Sequence, residues 1–197
     1  YMDWSRGLGD VYKRQELAIG DGVMGFWAAL EEIYPETREQ RCWMHKTMNV
    51  LNCLPKSAQA KAKQSLHIIW HAETKADAEK AFDLFIKTYE PKYPKAGICL
   101  HKDREELMAF YDFPAQHWQS IRTSNPIEST FGTIRHRTNR SKGCLSHDGM
   151  LHMMFKLGQC AEKKWRRLRG FDYLAKVVTG IKFKDGIEVT ELDQAAA

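Results

Sequence analysis

The chain has 197 residues, 43% hydrophobic and 28% charged, with a formal net charge of +5. These values are ordinary for a globular protein with a core of its own, and no apolar run approaches the roughly 18 residues of a membrane span. Five cysteines, an odd number without a secretory signal, argue for a reducing compartment and against a disulfide framework, so a soluble, cytoplasmic protein is expected.

Residues 1–15, YMDWSRGLGDVYKRQ, show no helical or strand period. DVYKRQ has the look of translated sequencing-adapter read-through, so the stretch is set aside as extraneous and the natural chain is expected to have lost its N-terminal part. ELAIGD (16–21) reads as the end of a strand followed by a tight turn at Gly20-Asp21-Gly22. Val23, Phe26, Leu30 and Ile33 then share one face of a helix that Pro35 stops. Arg41 to Cys53 reads as a strand end leading into a helix, closed by Pro55.

From there helix follows helix. Ser57 is the expected N-cap of a helix reaching about Ala72, and Thr74 that of the next, with Asp77 at the capping-box position. Ala78, Ala81, Phe82, Phe85 and Ile86 form its buried stripe. YPKAG (93–97) reads as a loop, and 102–111 as one more short helix. After Trp118, Asn125 reads as an N-cap with Pro126 at the first helical position. Ile127, Phe131 and Ile134 share a face of that helix. A long helix capped by Ser146 is expected to run to Gly170, with Met150, Met154, Leu157, Ala161, Trp165 and Leu168 on its apolar side and the Met150, Met153 and Met154 cluster packed in a core. YLAKVV (173–178) can form a last helix before a frayed end.

Charge is unevenly placed. Between 121 and 142 there are four Arg and one Lys against one Glu, and EKKWRRLR (162–169) makes a second basic cluster at a helix end. Such clusters suit a polyanion partner or simply a solvated helix face. Two carboxylates stand out. Asp21, flanked by glycines at a strand end, sits where a hard cation and a phosphate can approach together, or it is an ordinary turn residue. Glu128, counted from Asn125, is the third residue of its helix. There it completes a cap or, with Gly132 and Arg135 on the same face, flanks a metal site.

Cys42-x-x-His45 is half of a zinc-type ligand set, and Cys144 with His147 repeats the spacing. A four-ligand zinc site is therefore arithmetically possible, although the separation between the pairs is unlike a zinc finger.

Taken together, DGVMGFWAALEEIYPETREQRCWMHKTMNVLNCLP, FPAQHW and IRTSNPIESTFGTIRHRT resemble the transposases of the IS256 family, related to the Mutator elements. The resemblance covers about residues 16–190. It implies an α/β fold: an RNase H-like core carrying a D, D, E metal triad and interrupted by an all-helical insertion. Here 16–45 would belong to the core, 46–119 to the insertion, 120–170 to the C-terminal core helices and 171–197 to a tail. The chain would be mostly α, with the N-terminal strands missing.

Asp21 matches the second Asp and Glu128 the Glu, as catalytic metal ligands for two Mg²⁺ or Mn²⁺ ions. No residue takes the first role, and neither Asp3 nor Asp10 is assigned to it. The resemblance further implies metal-dependent strand cleavage and strand transfer on double-stranded DNA, with element terminal inverted repeats and target DNA as substrates. A homo-oligomer working at the bacterial nucleoid is expected. This polypeptide would be inactive alone, or a truncated relative that only binds DNA or the full-length enzyme. Arg122, Arg135, Arg137, Arg140 and Lys142 are the expected DNA contacts. Cys42, His45 and Asn125 are assigned structural or supporting places beside the metal ligands.

Overall fold

The computed structural model describes residues 15–140 and 146–189. The protein is mostly helical, with four short strands among the described residues. β1 (Leu17–Gly20) and β2 (Arg38–Arg41) pair in parallel, with Leu17 opposite Arg38 and Gly20 opposite Arg41. The connection between them carries α1 (Met24–Ile33), as parallel pairing requires a crossover rather than a hairpin. α2 (Trp43–Asn52) leaves directly from the end of β2.

The core is built by α2 and the four helices after it. α3 (Lys56–His71), α4 (Lys75–Tyr89), α5 (Pro94–His101) and α6 (Arg104–Met108) pack with α2 around Trp43, Val50, Leu66, Ile69, Phe82, Phe85, Leu100 and Tyr111, each at most 1% exposed. Two 3₁₀ turns (Ala109–Asp112 and Ala115–His117) and α7 (Trp118–Ile121) close this unit. β2 is bolted to it by the fully buried Gln40. Its side-chain oxygen accepts from Phe110 N–H (2.8 Å), and its amide donates to the Leu107 carbonyl (3.3 Å). The Trp43 indole N–H reaches the same carbonyl at 2.8 Å. Beneath the end of β2, Asp103 takes both Arg41 Nε (2.6 Å) and Lys46 Nζ (2.5 Å) in a nearly dry ion triad.

α8 (Asn125–Arg140), α9 (His147–Glu162) and α10 (Phe171–Val178) complete the helices. A small hairpin, β3 (Phe183–Lys184) with β4 (Ile187–Glu188), turns through Asp185 and Gly186, both at positive φ. It docks on the helical unit. Gly186 exchanges backbone bonds with Ala115 and Tyr111 at 3.1 Å, and the Asp185 carboxylate accepts from Lys75 N–H at 2.6 Å. A side chain at Gly186 would meet Ala115 Cβ at 2.5 Å. No helix of the described residues is long and apolar enough to cross a membrane.

Several expectations are met: the strand and turn at 17–22, the strand-to-helix passage at 41–53, the Thr74 cap with Asp77 N–H at 3.1 Å, and the Ser146 cap with Gly149 N–H at 3.1 Å. Others are corrected. α3 starts at Lys56 from an extended Pro55, so Ser57 lies in its first turn rather than capping it. YPKAG is not a loop. Pro94 opens α5, where its missing N–H costs nothing, and Gly97 lets the helix close on Glu90 Cβ.

The expected helix at 102–111 is split into α6 and a 3₁₀ turn. α9 stops at Glu162, well before Gly170. The Lys163, Lys164, Arg166, Arg167 and Arg169 cluster therefore lies beyond the helix, where consecutive like charges need not stack on neighbouring turns. Met150 and Met154 are not core: both are more than 40% exposed, and α9 buries no residue.

Candidate active site

Three chain segments meet at the carboxyl ends of β1 and β2. The Cys42 N–H donates to the Gly20 carbonyl (2.8 Å) and so extends the strand pairing by one bond. The Trp43 N–H donates to the Arg122 carbonyl (3.0 Å), which draws 122–124 alongside Cys42. The Ser124 N–H then reaches Cys42 Sγ at 3.2 Å, and α8 begins at the next residue. Arg122 secures this approach. Its guanidinium lies 4.7 Å over the Trp70 ring and donates to the Trp70 carbonyl at 2.7 Å.

Ser124 is the hub of the site. Its hydroxyl hydrogen-bonds Glu128 Oε1 and lies 3.1 Å from Cys42 Sγ and 3.3 Å from His45 Nδ1. His45, on the first turn of α2, stands 3.6 Å from Glu128 Oε1. The donor atoms of Cys42, His45 and Glu128 all lie within 4.8 Å of one another, a cluster able to hold a metal ion. Cys42 is buried, His45 half-buried and Glu128 exposed, so the cluster opens to solvent on the glutamate side. Burial pushes the Cys42 thiol up, but hydrogen bonds from Ser124 and His45 outweigh it and hold the group below its usual range. For His45, burial is likewise overcome, by Cys42 first and then by the charges of Glu128 and Asp21, and the imidazole is raised.

The first backbone bond of α8 runs from Glu128 N–H to the Ser124 carbonyl at 3.1 Å. The capping position therefore belongs to Ser124 and not to Asn125, and Glu128 is the fourth helical residue. Sequence reasoning missed Ser124. The available signal was its place four residues before Glu128, one helical turn away, in a residue type that caps as well as Asn does.

Asp21 follows β1 on the exposed rim of the same site. Its Oδ1 accepts from Val23 N–H (3.1 Å), an Asx turn that fixes the carboxylate, and its charge is felt at His45. Gly22, at φ +97°, leaves the space that the Arg41 guanidinium fills: a Cβ there would stand 1.4 Å from Arg41 Nη1. That Nη1 is buried without a hydrogen-bond partner.

Arg135, Arg137 and Arg140 are exposed along α8. Arg135 borders an open groove of about 520 Å³ between α8 and α9, with Phe131, Ile134, Met150 and Met154. Arg122 is engaged by Trp70 instead. Lys142 and Cys144 lie outside the described residues, and His147 is exposed beside Asp148. The cysteine and histidine at 42 and 45 therefore find their third ligand-type neighbour in Glu128.

Asp21 follows the carboxyl end of β1, and Glu128 stands 3.6 Å from His45 just past the carboxyl end of β2, a position where strand ends commonly carry ligand sites. A profile described as "Transposase, Mutator family" matches residues 4–167, including most of the stretch set aside at the N-terminus. The chain is 57% identical over 171 residues to the transposase for insertion sequence element IST2 of Acidithiobacillus ferrooxidans, covering 87% of this chain and 58% of that protein. It is 45% identical over 170 residues to the transposase for insertion sequence element IS6120 of Mycolicibacterium smegmatis, covering 86% and 53% respectively. The chain belongs to the Mutator family of transposases. It spans little more than half the length of these two relatives.

Proposed function

We propose that the chain is catalytic-region sequence of an insertion-sequence transposase of the D, D, E type. In this reading β1, β2 and α8 belong to an RNase H-like core, and the helical unit from α2 to α7 is its insertion. The complete protein cuts DNA at the element's terminal inverted repeats and joins the freed 3′-hydroxyl to target DNA, as a homo-oligomer at the bacterial nucleoid. The observation that supports this is that His45, beside the end of β2, has Glu128 Oε1 at 3.6 Å and is raised by the charges of both Glu128 and Asp21, carboxylates that lie on opposite sides of the helical unit in the sequence.

The donor chemistry fits Mg²⁺ or Mn²⁺. Asp21 and Glu128 are exposed carboxylates, the hard oxygens such ions take alongside water and phosphate oxygens. When bound, a pair of these ions supplies an activated water and a stabilised leaving oxygen. The protein's own part is orientation. Ser124 and His45 hold the Glu128 carboxylate, the Asx turn holds Asp21, and the Arg41–Asp103–Lys46 triad anchors the strand between them. Arg135, Arg137 and Arg140 meet DNA phosphates beside the site. In this reading no residue of the 197 takes the role of the triad's first Asp, and the chain alone does not turn over.

Asp21→Asn and Glu128→Gln in the complete transposase test the reading. Strand cleavage in Mg²⁺ or Mn²⁺ falls by orders of magnitude while DNA binding persists; cleavage that survives either change overturns it. For this chain, DNA affinity measured against salt should lose about 0.9 of its logarithmic slope for each of the three arginines replaced, if each neutralises one phosphate.

A further inference from the structure

We propose that Cys42, His45 and Glu128 form a site for one thiophilic divalent ion of the zinc class, and that this ion withdraws Glu128 from the Mg²⁺ chemistry. The binding half stands on the cluster's geometry; the regulatory half rests on the reading of Glu128 as a catalytic ligand.

Tetrahedral zinc bonds of about 2.0–2.3 Å place neighbouring donors roughly 3.3–3.8 Å apart. His45 Nδ1 and Glu128 Oε1 already stand 3.6 Å apart, and all three donors lie within 4.8 Å. The point an ion would occupy is marked by the Ser124 hydroxyl, which touches each donor in turn. A rotation of one exposed-side serine rotamer vacates it. The Ser124 backbone N–H stays on Cys42 Sγ, the kind of outer contact that orients a ligating sulfur. The solvent-facing side leaves the fourth position to water.

Ligand softness decides which ion. A thiolate and an imidazole select zinc-like ions, whereas Mg²⁺ favours carboxylate and water oxygens. One carboxylate therefore serves two competing ions: Mg²⁺ on the Asp21 side, or the softer ion on the Cys42 side.

The test on this chain, kept reduced, is cobalt titration. The expected result is one Co²⁺ per chain with a sulfur-to-cobalt charge-transfer band, displaced by equimolar Zn²⁺ and not by a large excess of Mg²⁺. Cys42→Ser abolishes the band. His45→Gln and Glu128→Gln keep it but weaken binding by at least the roughly 10–100-fold that outer partners alone command. Cys160→Ser, at an exposed thiol elsewhere, changes nothing. Ser124→Ala, which empties the central point, tightens binding, a result that a merely structural serine would not give. Circular dichroism of each variant guards against misfolding.

No band, a band that survives Cys42→Ser, or weaker binding in Ser124→Ala overturns the site. In the complete transposase, zinc inhibits the Mg²⁺ reaction, and Cys42→Ser raises the inhibitory zinc concentration by about 10-fold or more. A cobalt signature without zinc inhibition would leave the site standing and overturn Glu128 as a catalytic ligand.

Discussion

The two halves of this molecule use similar residues and reach opposite results. In the unit from α2 to α7, Trp43, Leu66, Phe82, Phe85 and Tyr111 are all but completely buried. In α1, α9 and α10, which are equally amphipathic to the eye, no residue is buried. Phe26, Phe131, Phe155 and Trp165 stay between 45% and 62% exposed. An apolar stripe states that a face stabilises when covered; whether a cover exists is a property of the rest of the structure. Stability in this chain is accordingly concentrated in the helical unit, and the site sits on its border.

Paired substitutions give the sharpest contrast. Phe82→Ala should cost about 3–5 kcal/mol in denaturant unfolding, as buried phenylalanines do. Phe155→Ala should move it by no more than about 0.5 kcal/mol, as surface changes do. Equal losses at the two positions would show that α9 shares the core after all.

The same contrast explains what is legible in the sequence. Thr74 with Asp77, followed by Ala78, Phe82 and Phe85, combines a cap with a stripe and a nearby partner, and α4 forms as expected. Met150 and Met154 carry the same kind of stripe, and the period alone cannot show that α9 is left half open. Pro94 misleads because a proline after a tyrosine resembles a loop until the helix it starts is seen to close on Glu90. The Asp185-Gly186 hairpin stays hidden since two-residue strands leave no alternation to detect, although Asp-Gly is a strong turn signal. At the candidate site, the sequence singles out Asp21 and Glu128 but not Ser124, whose hydroxyl bonds Glu128. Ser124 acts through contacts to Cys42 and His45 that only the strand pairing brings near.

The border between the halves is held by charge. Asp103 is nearly buried between Arg41 and Lys46. Burial raises its carboxyl, but the bonds from Lys46 and Arg41 outweigh that and keep it below the usual 3.8. A depressed folded value means that the contribution is complete above the unfolded value and fades as pH falls through the folded one. Thermal stability should therefore decline with acidification below about pH 4 in the natural sequence. Asp103→Asn leaves two cations without their counterion and should cost about 3–5 kcal/mol at neutral pH. It should also flatten the acid limb; an unchanged acid limb would place the ion triad's contribution elsewhere.

The smallest effect separates the halves most finely, because the local chemistry is the same in both. Thr74 accepts from Asp77 N–H and Ser146 from Gly149 N–H, each at 3.1 Å, and each opens a helix of about four turns. Replacing either by Ala removes one cap worth about 1 kcal/mol to its helix. For Thr74 that loss should appear in full in global unfolding, since α4 cannot fray without exposing Ala78 and Phe82. For Ser146 the helix has no buried residue to hold it to the global transition. The loss should then leave the denaturation midpoint unchanged and appear only as faster amide exchange in the first turn of α9. A shift in midpoint with Ser146→Ala equal to that with Thr74→Ala would show that α9 unfolds as part of the same cooperative unit as the helical core.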